Sequence, residues 1–184
     1  MKNKSGLVEE IEFSNGISVK KEEKLIILSK GIEKIEKSIS PLISADIENN
    51  KIIFKTKKSG KTERRILGAL IAHIKNALTG LNEPFKYKLQ VASVHFPMTI
   101  THDKNSNEII IKNFLGEKKD RKVNVMNGVN VKISKDFIEL ESADIEKAGQ
   151  TAANIEKGTK IRFRDRRVFQ DGIFIIEKPG RVFL

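Results

Sequence analysis

The sequence predicts an α+β protein with two similar tandem domains, each made of an antiparallel sheet and one packed helix. Three observations predict this class. Short segments alternate apolar with polar residues and are separated by turn residues, which is typical of antiparallel hairpins. Two longer segments repeat apolar residues with helical spacing. The order of elements in the first half recurs in the second half, which predicts domains at residues 1–83 and 84–184.

Short β elements are predicted before the first helix. In chain order they are a strand within 7–13, a turn at 14–16, a hairpin whose two runs begin at Ile17 and Leu25, a segment 32–39 whose period fits either helix or strand, and a hairpin over 43–56 that turns at Asn49 and Asn50.

Residues 62–79 are predicted to form the first helix, because one side of the segment is apolar. Thr62 is the expected N-cap, and Gly80 is the expected residue just beyond the C-terminus. Pro84 would stop any continuation. The apolar face consists of Ile66, Leu67, Leu70, Ile71, Ile74 and Leu78.

The second half is predicted to repeat this order and to end in a second helix. Its strand-like segments are 87–94, 97–100, 107–112 and 121–125, followed by a hairpin of 129–133 and 137–141. The helix is expected from about Asp144 to Lys157, with Gly158 just beyond it. The matched positions of the two halves are Gly31 with Gly116, 43–56 with 129–142, Gly68 with Gly149, and Ile74 with Ile155.

The composition points to a polyanionic partner. The chain has 184 residues, with 35 Lys and Arg against 24 Asp and Glu, and a formal net charge of +11. This excess favours nucleic acid first and an acidic membrane surface second. The absence of cysteine excludes disulfides and thiolate metal sites. No apolar run reaches the roughly 18 residues of a membrane span. The N-terminus has no apolar signal-peptide core, so we expect a cytoplasmic protein.

Residues 157–172, here called the basic segment, concentrate cations with phenylalanine among them. Guanidinium groups match phosphate oxygens and stack on bases, so arginines interleaved with aromatic residues fit a surface that binds folded RNA. Phe163 and Phe169 fit either that surface or the core. The second helix continues into this segment with a polar side. The RNA-binding residues predicted from this pattern are Gln150, Asn154, Lys157, Lys160, Arg162, Arg164, Arg166 and Arg167.

Two further basic regions and one histidine carry weaker signals. Residues 55–65 fit an RNA or protein contact and a solvated loop equally well, whereas residues 112–122 are interpreted as a solvated surface. His95 precedes Phe96 and Pro97, where a role at RNA and a role in a turn are both open. No histidines have metal-ligand spacing, and no phosphate loop or catalytic motif is recognisable, so we expect no catalysis, metal or cofactor.

Three motifs of the second half occur in a recognisable order and spacing. They are SVHFPMTI at 93–100, NFLGEKK at 113–119 and GQTAANIEKGTKIRFRDRRVFQDGIFIIEKPG at 149–180. With these motifs the chain resembles, over nearly its whole length, the archaeal and eukaryotic type of the large-subunit ribosomal protein six family. One departure is Arg166, where the family pattern has proline.

The resemblance implies two tandem α+β domains, of which the C-terminal one makes most of the contact with large-subunit rRNA. It implies a structural protein of the ribosome near the factor-binding region and the sarcin-ricin loop. Neighbouring ribosomal proteins would be its partners, with translation factors nearby. The resemblance implies RNA contacts at His95, Phe96 and Pro97 and at Gln150, Asn154, Lys160, Arg162, Arg164, Arg167 and Phe169. A free-standing RNA-binding protein or RNA chaperone is the alternative, and no carboxylate cluster or nucleophile supports a nucleic-acid-processing enzyme.

Overall fold

The computed structural model describes residues 6–14, 16–48 and 50–183. It divides the chain into two compact units, with the break between Glu83 and Pro84. Asn15 in the predicted turn and Asn49 in the predicted hairpin lie outside the described residues.

The first unit contains six strands and one helix among its described residues. The strands are β1 (Val8–Glu12), β2 (Ser18–Glu22), β3 (Leu25–Lys30), β4 (Glu33–Ser38), β5 (Ile43–Glu48) and β6 (Lys51–Thr56). They form two antiparallel sheets, in the orders β1-β6-β5 and β2-β3-β4. Both predicted hairpins of this unit are confirmed, as β2 with β3 and β5 with β6. Segment 32–39 contains the strand β4, and its pairing with β3 sets buried Ile35 opposite buried Leu28.

Helix α1 (Lys61–Asn82) is longer than the sequence predicted at both ends. The N-cap is Gly60 and not Thr62, because the Gly60 carbonyl already accepts the first helical hydrogen bond, from the Arg64 amide at 3.1 Å. The helix also runs through Gly80. Leu81 beyond it is buried in the core, and that packing extends the helix until Pro84 removes the next amide donor.

The second unit contains eight strands and one α-helix among its described residues. They are β7 (Phe85–Ala92), β8 (Thr99–Asp103), β9 (Glu108–Lys112), β10 (Arg121–Asn124), β11 (Asn130–Ile133), β12 (Phe137–Ser142), α2 (Ile145–Gly158), β13 (Gly172–Lys178) and β14 (Arg181–Val182). One sheet has the order β10-β9-β8, and the other has the order β11-β12-β7-β13-β14, with antiparallel pairs throughout.

The strand pairing supports the predicted internal repeat. Strands β7 to β12 and α2 follow the same order as β1 to β6 and α1, and the sheet β11-β12-β7 corresponds to β5-β6-β1. The matched glycines Gly31 and Gly116 both precede the fourth strand of their unit and have φ of 62° and 75°, a region that glycine enters without a steric penalty. The α+β class with antiparallel sheets and one helix in each half is therefore confirmed, and each half carries two sheets.

Helix α2 packs on the sheets through small side chains. The Asp144 carboxylate caps its first turn by accepting a hydrogen bond from the Glu146 amide at 3.1 Å. The buried side consists of Ala148, Thr151, Ala152 and Ile155. Gly158 is the last helical residue and does not lie beyond the helix as predicted. A Cβ at Gly158 would lie 2.5 Å from a methyl group of Val123, so close packing explains this glycine and helix termination does not.

Candidate nucleic-acid interface

The basic segment connects the end of α2 to the start of β13, and its two ends are fastened to each other. The hydroxyl of Thr159 accepts a hydrogen bond from the Ile173 amide at 3.0 Å. Thr159, Asp171 and Ile173 are all buried. The segment therefore leaves the core and returns to it at nearly the same point.

Two apolar side chains hold the middle of the segment against the protein. Ile161 and Phe169 are partly buried and pack on the core of the second unit. The residues between them are exposed to solvent, and so are Lys157 and Lys160 before them. This pattern turns the cations outward together. They are Lys157, Lys160, Arg162, Arg164, Arg166 and Arg167.

Asp165 shapes the turn that contains Arg166. Its side chain accepts hydrogen bonds from the Arg167 amide at 2.9 Å and from the Arg167 guanidinium, and its carbonyl accepts from the Phe169 amide at 2.9 Å. The bonds from Arg167 lower the pKa of Asp165 below its ordinary value. A short turn closed by an aspartate therefore carries Arg166.

His95 and Asp171 join the loop after β7 to the base of the basic segment. The buried Asp171 carboxylate accepts a hydrogen bond from the His95 amide at 3.0 Å, and its second oxygen lies 2.5 Å from the ring Nδ1 of His95. Burial by itself would raise the pKa of Asp171, but the hydrogen bonds from His95 outweigh burial and lower it. His95 therefore has a structural role in this turn, and the rest of its side chain still faces solvent.

Phe169 is the centre of a small cluster in which an arginine is held in place. The His95 ring lies 5.1 Å from the Phe169 ring, and the Arg164 guanidinium carbon lies 4.9 Å from the same ring centre. A guanidinium above an aromatic ring is attracted by the electrons of the ring face. The cluster brings three of the predicted RNA-binding residues together and fixes the direction of Arg164.

Phe163 behaves in the opposite way. It is 104% exposed, so its alternative assignment to the core is wrong. Its φ of 59° is in the left-handed region, which a bulky residue enters only at a steric cost. The large side chain therefore stands in solvent between two arginines, Arg162 and Arg164.

A cavity of about 610 Å³ opens beside the basic segment. Its size is within the roughly 300–1,000 Å³ of typical small-ligand sites. The lining combines three cations, which suit phosphate, with two aromatic rings, which suit a base, and it also includes Glu156 and Asp171. Among the residues that line the cavity are Lys157, Lys160, Arg166, Phe169, Gln170 and Phe174.

The polar side of α2 and the loop before β8 complete the predicted surface. The Gln150 amide donates a hydrogen bond to the Asn154 side chain at 2.7 Å, so these two residues form one polar unit on the helix. Phe96 is 43% exposed, and its ring packs beside Gly116. These residues all belong to the second unit.

Arg121 has a defined role that sequence reasoning missed. Its guanidinium donates to the Gly158 carbonyl at the end of α2 at 2.8 Å and binds both oxygens of Glu117 at 2.8 and 2.6 Å. It also lies 4.1 Å from the centre of the Phe114 ring. The hydrogen bond from Arg121 lowers the pKa of Glu117. The interpretation of region 112–122 as solvated surface is thus wrong for Arg121, and nothing in the local sequence signals a contact with a residue 37 positions away.

The other predicted basic region lies in the first unit and is mostly exposed. In region 55–65, Lys55 pairs with Asp46 at 3.1 Å, and Lys57, Lys58, Arg64 and Arg65 are exposed. Across the described part of the chain, side chains that bind metals do not gather in groups of three or more. Neither described helix is both long and apolar enough to cross a membrane.

Known proteins similar to this chain identify its family. The family model described as Ribosomal protein L6 matches residues 96–172. The large ribosomal subunit protein uL6 of Methanococcus vannielii is 39% identical over 175 residues, which are 95% of this chain and 95% of that protein. The chain belongs to the ribosomal protein L6 family. Two further relatives agree with this assignment. The uL6 protein of Sulfurisphaera tokodaii is 41% identical over 94% of this chain and 92% of that protein. The uL6 protein of Desulfurococcus amylolyticus is 35% identical over 94% of this chain and 95% of that protein.

Membership in the L6 family confirms two predictions from the sequence. The resemblance drawn from the three motifs is correct, and the family match at 96–172 includes most of those motif residues. The chain is a ribosomal protein and not an enzyme. The predicted RNA-contacting residues of this L6-family chain remain a prediction.

Proposed function

We propose that the chain is a structural constituent of the large ribosomal subunit and that its second unit binds large-subunit rRNA near the factor-binding region and the sarcin-ricin loop. The relatives are named as large-subunit proteins, and they match this chain over nearly its whole length. The observation that carries the RNA-binding proposal is the basic segment, an outward-facing set of cations on a loop fastened at both ends.

The geometry of the basic segment suits the phosphate backbone of a folded RNA. Arg164 lies against the ring of Phe169, and Asp165 holds both the amide and the guanidinium of Arg167. Guanidinium groups in fixed positions recognise the spacing of phosphates, whereas a flexible basic tail recognises charge alone. The exposed polar pair lies on α2, the helix that leads into the segment, and cations of the segment line the cavity beside it. Neighbouring ribosomal proteins would then contact the remaining surface.

Binding to a large-subunit rRNA fragment across a salt series tests the proposal. If about five phosphates are neutralised, log K should fall with log salt with a slope of roughly −3.5 to −4.5. Replacing Arg162, Arg164 and Arg167 together by alanine should flatten the slope by about two to three units. Lysine at the same three positions should keep the slope and lose affinity, because an ammonium cannot bind two phosphate oxygens as a guanidinium does.

Two controls accompany this experiment. Replacing Lys55, Lys57 and Lys58 removes the same charge from the first unit and should weaken binding less. If replacing Lys55, Lys57 and Lys58 lowered the affinity for RNA more than replacing the three arginines by alanine, the assignment of RNA binding to the second unit would be wrong. Sedimentation of a lysate of the source cells separates a ribosomal constituent, which migrates with the large subunit, from a free-standing RNA-binding protein, which does not.

A further inference from the structure

We infer that Phe163 stacks on an unpaired base of the bound RNA. This inference rests on the proposed function and adds the chemical class of the ligand at one position. The family resemblance implies no RNA contact at Phe163. The inference comes from the exposure of its ring, its backbone conformation and the charge around it.

The surroundings of Phe163 give no structural reason for a phenylalanine. The side chain is 104% exposed, so no described part of the chain covers its ring. The backbone at φ 59° would suit glycine or asparagine better. The conformation costs stability in the isolated protein, and the exposed ring contributes no burial that would offset it. A ligand that covers the ring would remove its apolar surface from water, which favours binding.

Phe169, the other phenylalanine of the segment, already has partners within the protein. Phe169 packs on the core and contacts His95 and Arg164. Phe163 is thus the aromatic ring of the basic segment that is free to receive a partner. The two rings therefore have different roles: Phe169 packs the segment against the core, and Phe163 is exposed to a ligand.

The charge around Phe163 selects the ligand. Arg162 and Arg164 flank it in sequence, and Arg166 and Arg167 follow in the next turn, all of them exposed. Asp165 pairs with Arg167, but an apolar protein partner would still have to bury the guanidinium groups of Arg162 and Arg166 without compensation. A nucleic acid pairs them with phosphates and offers a base to the ring, which is how proteins bind single-stranded nucleic acid. Bases inside a duplex are already stacked on both sides, so the ligand is a base in a loop or bulge.

Two substitutions test the inference in the full chain, with an RNA hairpin that has an unpaired loop and a blunt duplex of the same stem as probes. Phe163→Leu removes the aromatic face and should lower affinity for the hairpin on the order of tenfold, with no change for the duplex and no change in salt slope. Since the chain has no tryptophan, Phe163→Trp adds a single reporter. It should keep affinity, and the hairpin should quench its fluorescence.

A matched control and the arginine variant make the result decisive. Ile32 is 102% exposed in the first unit, so Ile32→Trp gives an equally exposed reporter that the hairpin should leave unquenched. The inference would be overturned if Phe163→Leu bound the hairpin as tightly as the parent, or if the tryptophan of Phe163→Trp stayed unquenched. In that case the proposed function would still stand, provided that the triple arginine change weakened binding. If the arginine change also has no effect, the proposed function itself fails.

Discussion

The amide and the ring of His95 both bind the carboxylate of Asp171, at 3.0 and 2.5 Å. The carboxylate is 1% exposed, whereas the imidazole lies at the surface of the protein. A buried charge thus fixes the position of an exposed ring, and through it the loop that carries Phe96. The stability of the second unit and the shape of the candidate interface therefore depend on the same contact.

The contact between His95 and Asp171 should make the second unit sensitive to acid. Folding lowers the pKa of Asp171. The Asp171 carboxylate therefore contributes its full stabilisation at any pH above its pKa in the unfolded chain, which is about 4. That contribution is lost as the pH falls through the still lower folded value. Asp171→Asn should reduce the free energy of unfolding at neutral pH by about 1–3 kcal/mol. The variant should also lose less stability than the parent below about pH 4.

Urea unfolding followed by circular dichroism at several pH values measures this effect. Asp136→Asn is the matched control, because Asp136 is an exposed turn residue of the same unit. Parallel pH profiles for the parent and Asp171→Asn would contradict the assigned role of the carboxylate.

Arg121 should stabilise the second unit more than the cations beside it. Its loss removes a hydrogen bond to the end of α2, a paired contact with Glu117 and the packing on Phe114. Hydrogen bonds of charged groups are typically worth about 1.5–3 kcal/mol, so Arg121→Ala should lower the free energy of unfolding by about that amount. Lys122→Ala, which removes an exposed ion pair with Glu108, should change it by less than about 1 kcal/mol. Equal effects of the two changes in urea unfolding would rule out the special role of Arg121.

Two glycines in the helices should respond to alanine with opposite signs. A Cβ added at Gly68 in α1 would meet nothing within 4 Å, so Gly68→Ala should stabilise the protein by about 0.5–1 kcal/mol through helix propensity. Gly158→Ala places a methyl group against Val123 and should destabilise by about 1–3 kcal/mol. Thermal unfolding of both variants measures the difference. A stabilised Gly158→Ala protein would show that α2 can move away from Val123 at little cost.

The hairpins were predictable because their signal is local. Alternating side chains and a short polar turn decide the pairing of β2 with β3 and of β5 with β6. Segment 32–39 could not be assigned from its own period. The deciding contact is its pairing with β3, where Ile35 lies opposite Leu28, and that contact is a property of the sheet.

The ends of the helices and the burial of the two phenylalanines in the basic segment could not be predicted from the sequence. Gly80 and Gly158 both looked like residues that end a helix, but packing of Leu81 extends α1 and contact with Val123 explains Gly158. The cations of the basic segment were evident from composition. The different positions of Phe163 and Phe169 were not, because two phenylalanines in one charged run have the same local signal, and only the surrounding core decides which one is covered.

The hydrogen bond between the Ile173 amide and the Thr159 hydroxyl closes the basic segment into a loop. A free tail with the same residues would lose much conformational entropy when RNA ordered it. The closed segment has already lost part of that entropy during folding, at the expense of the stability of the second unit. Under the proposed function, cations that any disordered basic tail could carry thereby form a binding surface whose shape exists before the RNA arrives.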